Sequence, residues 1–197
     1  MKELSFDPKT HTYTLNGMVI PSVTQLMKPL SNAKYGAIDE STLRAKAEKG
    51  TTVHEAIEFH IAYGAIDCPS ELMGYFNAYL AWRDDYLPRI VMSEQAVYHP
   101  AMLYAGTMDL LAVIGDRNVL IDVKTTSQIN DMLTSVQLEA YERAAMEHGI
   151  EVDEKAVLQL MPDGRYKFKL YRAHDAAAWQ TFAALMTIQA HINKYGG

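Results

Sequence analysis

Asp122 and Lys124 stand two positions apart at the end of an apolar, β-branched run, residues 118–127 (NVLIDVKTTS). In a strand, residues two apart project from the same face. Burying a charge is expensive unless it is paired or holds a metal. The pair is therefore either a buried ion pair or part of a reactive site, and a D-x-K triplet alone reads more readily as the former. A second carboxylate changes the balance. Asp109 lies in a preceding strand-like run, and residues 115–118 (GDRN) read as the turn between the two. If that turn closes an even-length hairpin, Asp109 faces Lys124, Leu111 faces Asp122 and Val113 faces Leu120. Asp109, Asp122 and Lys124 then gather at one end of one face, while Leu110, Ala112, Ile114, Val119, Ile121 and Val123 line the other. A one-residue slip would separate the two carboxylates. Two carboxylates at that spacing suit a hard divalent cation. Such a cation polarises a phosphoryl oxygen and lowers the pKa of bound water. The lysine can orient the water or stabilise charge developing on a phosphate.

Two helical stretches carry further polar groups toward this strand pair. In residues 131–145 (DMLTSVQLEAYERAA) the apolar stripe is Leu133, Val136, Ala140 and Ala144, and Gln137 and Tyr141 lie on it one turn apart. A buried glutamine needs partners, so these two are either backbone-satisfied core residues or contributors to a site. In residues 51–60 (TTVHEAIEFH) the stripe is Val53, Ile57 and Ile61, with His54 and Glu58 sharing a turn at its edge. The pattern approaches H-E-x-x-H, but Glu58 replaces the second histidine and the zinc reading loses a ligand. His60 and His99 show no partner pattern.

The elements that must position these residues follow from turn and cap signals. Asn16-Gly17 marks a hairpin over residues 11–23, ended by Pro21, with Ser22 capping a short helix to Met27. Residues 28–40 read as a loop. A helix over 41–49 stops at Gly50, and Thr51 or Thr52 caps the next, to Tyr63. Ser70 caps a helix with apolar positions at Leu72, Phe76, Leu80 and Leu87. Strands are expected at 93–99, 107–114 and 119–124, and a helix at 131–148 stopped by Gly149. A second hairpin, 155–161 and 165–172, turns at Pro162-Asp163-Gly164, and a last helix spans 175–195. This order predicts an α/β fold with a mixed sheet covered by helices on both faces.

Composition sets outer bounds. The 197 residues suit a single domain over 1–197 with an N-terminal hairpin extension at about 1–30. No apolar run approaches the ~20 residues of a membrane helix, and the N-terminus lacks a signal-peptide core. A cytoplasmic protein is expected, with no membrane partner. Cys68 is the only cysteine, so an intrachain disulfide and a cysteine-built metal site are both excluded. The net charge is -6, with the negative balance in residues 51–150, which argues against wholesale wrapping of nucleic acid.

Taken together, the motifs resemble the PD-(D/E)XK nuclease superfamily, in its RecB-like and phage-type exonuclease branch, over roughly residues 50–141. KGTTVHEAIE resembles the helix carrying the family histidine, here His54. YAGTMDLL resembles the G-x-x-D strand with Asp109, and LIDVKT the D-x-K strand with Asp122 and Lys124. QLEAY resembles the Q-x-x-x-Y helix with Gln137 and Tyr141. The resemblance implies a restriction-endonuclease-like fold and Mg²⁺- or Mn²⁺-dependent hydrolysis of DNA phosphodiesters. It implies metal ligation by Asp109, Asp122, His54 and the carbonyl of Val123, a water-positioning Lys124, and strand contact or support by Gln137 and Tyr141. Glu58 is added as a supporting group without a motif behind it.

With one cysteine and no G-x-x-x-x-G-K-[ST] motif, the chain departs from cluster-bearing and helicase-linked relatives. The expectation is a stand-alone recombination or repair exonuclease of a bacterial or phage-infected cell. Its expected partners are DNA and a recombination or single-strand-annealing protein, and a homo-oligomer is left open. The competing reading is a nuclease-fold protein that binds DNA or a partner without cutting. For the DNA surface, Lys28, Lys34, Arg44, Lys46 and Lys49 lead into the proposed site. The alternating basic row of residues 165–172 (RYKFKLYR) reads more readily as protection of a sheet edge.

Overall fold

The computed structural model describes residues 3–36 and 39–195. Its centre is a five-stranded sheet: β4 (Arg89–His99), β5 (Tyr104–Ile114), β6 (Arg117–Lys124), β7 (Glu154–Leu160) and β8 (Tyr166–Tyr171), in that spatial order. β6 and β7 are parallel and the other neighbours antiparallel. The parallel step is bridged by helix α5 (Asp131–Met146), as a parallel connection requires a crossover. α3 (Glu40–Tyr63) and α4 (Met73–Tyr86) cover one face, packing Val53, Ile57, Phe76 and Trp82 on Leu110, Ile121, Val123 and Leu158. α5, α6 (Ala176–Tyr195) and the short α1 (Val23–Leu26) cover the other, with Leu138, Phe182 and Val23 against Leu111, Leu120 and Val157. The mixed α/β architecture with helices on both faces is the one expected. An N-terminal antiparallel sheet, β1 (Leu4–Asp7), β2 (Thr12–Leu15) and β3 (Met18–Ile20), lies against β5 through Tyr13, Ile20 and Ala105.

Several elements differ from expectation for identifiable reasons. Lys28–Tyr35 is a helix, α2, and not a loop, because Pro29 falls in its first turn, where a missing N–H costs nothing. α3 runs unbroken through Gly50: Asp39 caps it, its carboxylate accepting from Thr42 N–H, and tertiary packing outweighs the ~1 kcal/mol penalty of an interior glycine. Leu87 is not on the buried stripe of α4. It ends that helix in the left-handed region (φ 46) and is 81% exposed. β8 is an edge strand whose Lys169 pairs with Asp131 at 2.6 Å and whose neighbour Arg165 pairs with Asp163, so two of the four basic residues in this row are ion-paired.

The β5–β6 register also differs. Leu111 pairs with Leu120 and Val113 with Asn118, so the turn is the two residues Gly115-Asp116 and not four. The shift is by two, which preserves every face: Leu111 and Leu120 still share one core and Leu110, Ala112, Val119 and Ile121 the other. Carried one step past its last pair, Leu110–Ile121, this register brings Asp109 level with Asp122, not with Lys124.

One polar network ties α5 to the sheet. Glu139 and Glu142, both fully buried, flank the ammonium of Lys155 in β7, which is 1% exposed. Arg143 Nε donates to Glu139 at 2.8 Å, and the backbone N–H groups of His174 and Asp175 donate to Glu142 and Glu139. Burial alone would raise the Glu139 pKa, but the hydrogen bonds from Lys155 and Arg143 outweigh it and hold the carboxyl below its usual range. Replacing Lys155 by Met leaves two buried carboxylates without their ammonium and should destabilise the fold by about 3–5 kcal/mol. Because the folded pKa of Glu139 is depressed, its contribution is present above the unfolded value of ~4.3 and is lost as pH falls through the folded one. Thermal melts of Glu139→Gln beside wild type should therefore show a stability gap at pH 7 that narrows below about pH 4.

Candidate active site

β5 and β6 part company at Asp109. The ladder is continuous to Leu110–Ile121, and beyond it Asp109 Oδ2, in place of a backbone carbonyl, accepts the Val123 N–H at 2.7 Å. The side-chain alternation of β5 slips here too, since Met108 and Leu111 pack into one core while Leu110 packs into the other. The freed carbonyl of Val123 meets His54 Nε2 at 3.0 Å. Both backbone polar groups of Val123 are thus satisfied by side chains, one from β5 and one from α3.

His54 Nδ1 faces Glu94 Oε1 at 3.2 Å and Asp109 Oδ1 at 3.7 Å. Burial alone favours the neutral ring, but the charges of Asp109 and Glu94 overcome it and raise the pKa to about 9. With an oxygen acceptor at each ring nitrogen, His54 is held as an imidazolium. Glu94 belongs to β4, where Ser93 pairs with Leu110 and Gln95 with Met108 while Glu94 itself takes φ 48 opposite Asp109. A non-glycine residue in that region is uncommon, and such irregularities turn a side chain toward a site. Nothing in the sequence around Glu94 marks it as a site residue.

The α5 side holds the remaining groups. Lys124 Nζ lies 2.9 Å from both carboxylate oxygens of Asp122, although its direction suits a hydrogen bond to Oδ1 alone. It also donates to Gln137 Oε1 at 3.3 Å, and Gln137 Nε2 donates in turn to the Tyr141 hydroxyl at 3.2 Å. Burial would lower the Lys124 pKa, but Asp122 and Asp109 raise it above the ordinary value, so the group is an ammonium. Burial raises the Asp122 pKa to about 6, against the pull of Lys124 and with the push of Asp109. Burial likewise raises that of Asp109, which His54 and Lys124 offset only in part. Tyr141 is pushed far up by burial and remains a neutral phenol.

His54, Asp109, Asp122, Val123, Lys124, Gln137 and Tyr141 lie in one connected region, with Glu94 added. Glu58 is not: it is exposed one turn beyond His54 and makes no hydrogen bond among the described residues. The hairpin, His54 and Gln137 could be read from periodicity. Glu94 depends on a backbone irregularity in a third strand.

These residues fit a hard divalent cation. Ligating atoms of His54, Glu94 and Asp109 lie within 4.8 Å of one another. Asp122 Oδ2 is buried and receives no well-directed hydrogen bond, its one close polar neighbour being the Lys124 ammonium at 2.9 Å. Oxygen-rich donors with one imidazole match Mg²⁺ or Mn²⁺ chemistry. His54 becomes a ligand only on losing one of its two ring protons, the Nδ1–H directed at Glu94 or the Nε2–H directed at the Val123 carbonyl.

Mn²⁺ should raise the melting temperature of the wild-type protein, by about 2.7 kcal/mol of stabilisation at a hundredfold excess over Kd. Glu94→Gln and Asp109→Asn should each diminish that shift. A shift retained in both would remove the two carboxylates from the cation site. Tyr141 depends on Gly106, where a Cβ would stand 2.5 Å from Tyr141 Cε1. Gly106→Ala should displace the ring and loosen the Tyr141–Gln137–Lys124 chain, which amide-exchange or side-chain NMR of Gln137 would report.

Comparison with known proteins returns no matching family model and no matching curated protein. Among solved structures, the chain is similar to an alkaline exonuclease (LHK-Exo) from Laribacter hongkongensis in complex with dAMP, at 11% identity over 89% of this chain and 88% of that one, TM-score 0.49. A second crystal structure of LHK-Exo matches at 11% identity over 72% and 81%, TM-score 0.42. The crystal structure of SSO0001 matches at 14% identity over 70% and 71%, TM-score 0.38.

Proposed function

We propose that this protein is a Mg²⁺- or Mn²⁺-dependent deoxyribonuclease, acting on DNA ends as a recombination or repair exonuclease of the phage type. The observation that carries this reading is the convergence, where β5 and β6 part, of three carboxylates, an imidazole and an ammonium. A protein that only bound DNA would gain nothing from burying Asp109 and Asp122 beside one another, since carboxylates repel phosphate. The alternative, a nuclease-fold protein that binds DNA or a partner without cutting, rests on the net charge of -6 and the ordinary basic surface.

A divalent cation at this site supplies charge neutralisation on a phosphoryl oxygen and a more acidic bound water. The chain's own residues do the rest. Asp109 and Glu94 present carboxylate oxygens beside His54, with Asp109 anchored by the Val123 N–H, while Asp122 lies outside that group and holds Lys124. Lys124, as an ammonium, donates hydrogen bonds and does not accept a proton. It is aimed by Asp122 and Gln137 and can hold an attacking water or stabilise negative charge on the phosphate. Tyr141 keeps Gln137 in position and can itself donate to the strand.

The test uses end-labelled linear DNA and closed circular DNA with Mg²⁺, Mn²⁺ or EDTA. Metal-dependent loss of linear DNA alone is expected, reduced by at least ~10²-fold in Lys124→Ala and Asp122→Ala proteins with wild-type melting behaviour. Cutting of circles would make the protein an endonuclease. Intact DNA under every condition, from well-folded protein, would favour the binding module.

A further inference from the structure

Of the five basic residues that lead into the site, four face solvent: Lys28, Lys34 and Lys46 are exposed, and Arg44 pairs with Glu48 on the surface. Lys49 differs. It lies on α3 five residues before His54, is half-buried, and turns toward the end of β6. Its Nζ donates to the Tyr75 hydroxyl at 2.9 Å and to the carbonyl of Thr125, the residue after Lys124, at 3.2 Å. The ammonium also stands 4.7 Å from the centre of the Tyr75 ring. Both hydrogen-bond partners are neutral, and no carboxylate pairs with Lys49 among the described residues. A half-buried cation without a counter-charge is poorly compensated.

The surroundings of Lys49 are rich in uncommitted donors. Two of its three N–H groups are used and the third is free. The Tyr75 hydroxyl accepts from Lys49 and, like the hydroxyl of Thr125, donates to no protein acceptor among the described residues. Tyr75 is 9% exposed and Thr125 7% exposed, so both are held by packing and are not mobile surface groups. Gly50, adjacent to Lys49, brings α3 close to Thr125, since a Cβ there would lie in van der Waals contact, 3.7 Å from Thr125 Oγ1. Three donors with one positive charge and no competing acid make a receptor for an oxyanion.

We propose that Lys49, Tyr75 and Thr125 form a binding subsite for a backbone phosphate of the DNA strand, next to the phosphate presented to Lys124. The proposal rests on the DNA reading of the site and names where that acidic protein grips its substrate. Lys124 and Thr125 are consecutive on one strand end, so the scissile position and the subsite are held by the same segment. The subsite aligns the strand along the end of β6 and offsets the repulsion from Asp109, Asp122 and Glu94.

The test measures binding of a fluorescent single-stranded deoxyoligonucleotide by anisotropy, in EDTA so that nothing is cut, over a range of salt concentrations. The proteins are wild type, Lys49→Gln, Lys49→Met and Lys49→Arg, each with its melting temperature recorded. Lys49→Gln removes the charge while keeping a donor for the Thr125 carbonyl, so it guards against a folding defect in Lys49→Met. One lost phosphate contact should flatten the slope of log K against log salt by about 0.7 in Lys49→Gln and Lys49→Met, with the wild-type slope kept in Lys49→Arg. An unchanged slope, even with weaker binding, would show that Lys49 only props the segment after β6 and would overturn the subsite. Failure of wild type to bind the oligonucleotide at low salt would overturn it as well. Cleavage by wild type with a slope indifferent to Lys49 removes the subsite and leaves the nuclease. A Lys49-dependent slope in a protein that cuts nothing keeps the subsite and removes the nuclease.

Discussion

The site depends on the way the backbone of Val123 is satisfied. Strand β6 keeps β7 beside it to Lys124, but β5 pairs with it only as far as Ile121. A buried strand cannot leave an N–H and a carbonyl bare. Asp109 takes the N–H and His54 meets the carbonyl, so side chains complete the ladder where the neighbouring strand has turned away. Divergence of two strands opens the space for chemistry, and the two residues that close the hydrogen-bonding gap are themselves members of the site. Geometry and electrostatics are thereby coupled: moving Asp109 or His54 would unsettle the strand that delivers Asp122 and Lys124.

The second constraint is charge. Asp109, Asp122 and Glu94 converge in a partly buried space against two cationic side chains, the His54 imidazolium and the Lys124 ammonium. Desolvation pushes both aspartate pKa values up, and three carboxylates face only two cationic side chains. Such an arrangement stores an unmet demand for positive charge. Buried ion pairs elsewhere in the fold show what a closed arrangement looks like. Around Lys155, two glutamates, an arginine and two backbone N–H groups satisfy one another, and Glu139 is held ionised. One acidic cluster is complete and anchors α5 to β7. The other is incomplete, and α5 presents Gln137 and Tyr141 to it from the same rigid helix.

Lys49 extends this contrast to the other side of β6. It is a cation short of a counter-charge, where the site holds anions in excess of its cations. A phosphodiester with a divalent cation answers both demands together, which makes the electrostatic design of the region coherent although the protein as a whole is acidic.

Much of this was legible in the sequence. The two-residue period placed Asp122 and Lys124 on one face and Val119, Ile121 and Val123 on the other, because a strand's alternation is local and survives a register shift of two. The i, i+4 spacing placed Gln137 and Tyr141 together on α5 for the same reason. The identity of the opposed residues was not legible, since a turn of two residues and one of four fit the same letters around Gly115. The helix at Pro29 and the continuity of α3 through Gly50 were not legible, because position within the turn and packing against the sheet overrode the residue types. Glu94 required the tertiary structure, because its place in the site arises from an irregularity in β4 opposite Asp109. The pairing of Lys155 with Glu139 and Glu142 did too, because partners 16 and 13 residues away meet only once α5 lies on β7. By itself the sequence determined which side chains share a face and which chemistry they can perform. The tertiary structure decided which faces meet, because a carboxylate's partner, its burial and therefore its charge are properties of neighbours that the chain brings close only on folding.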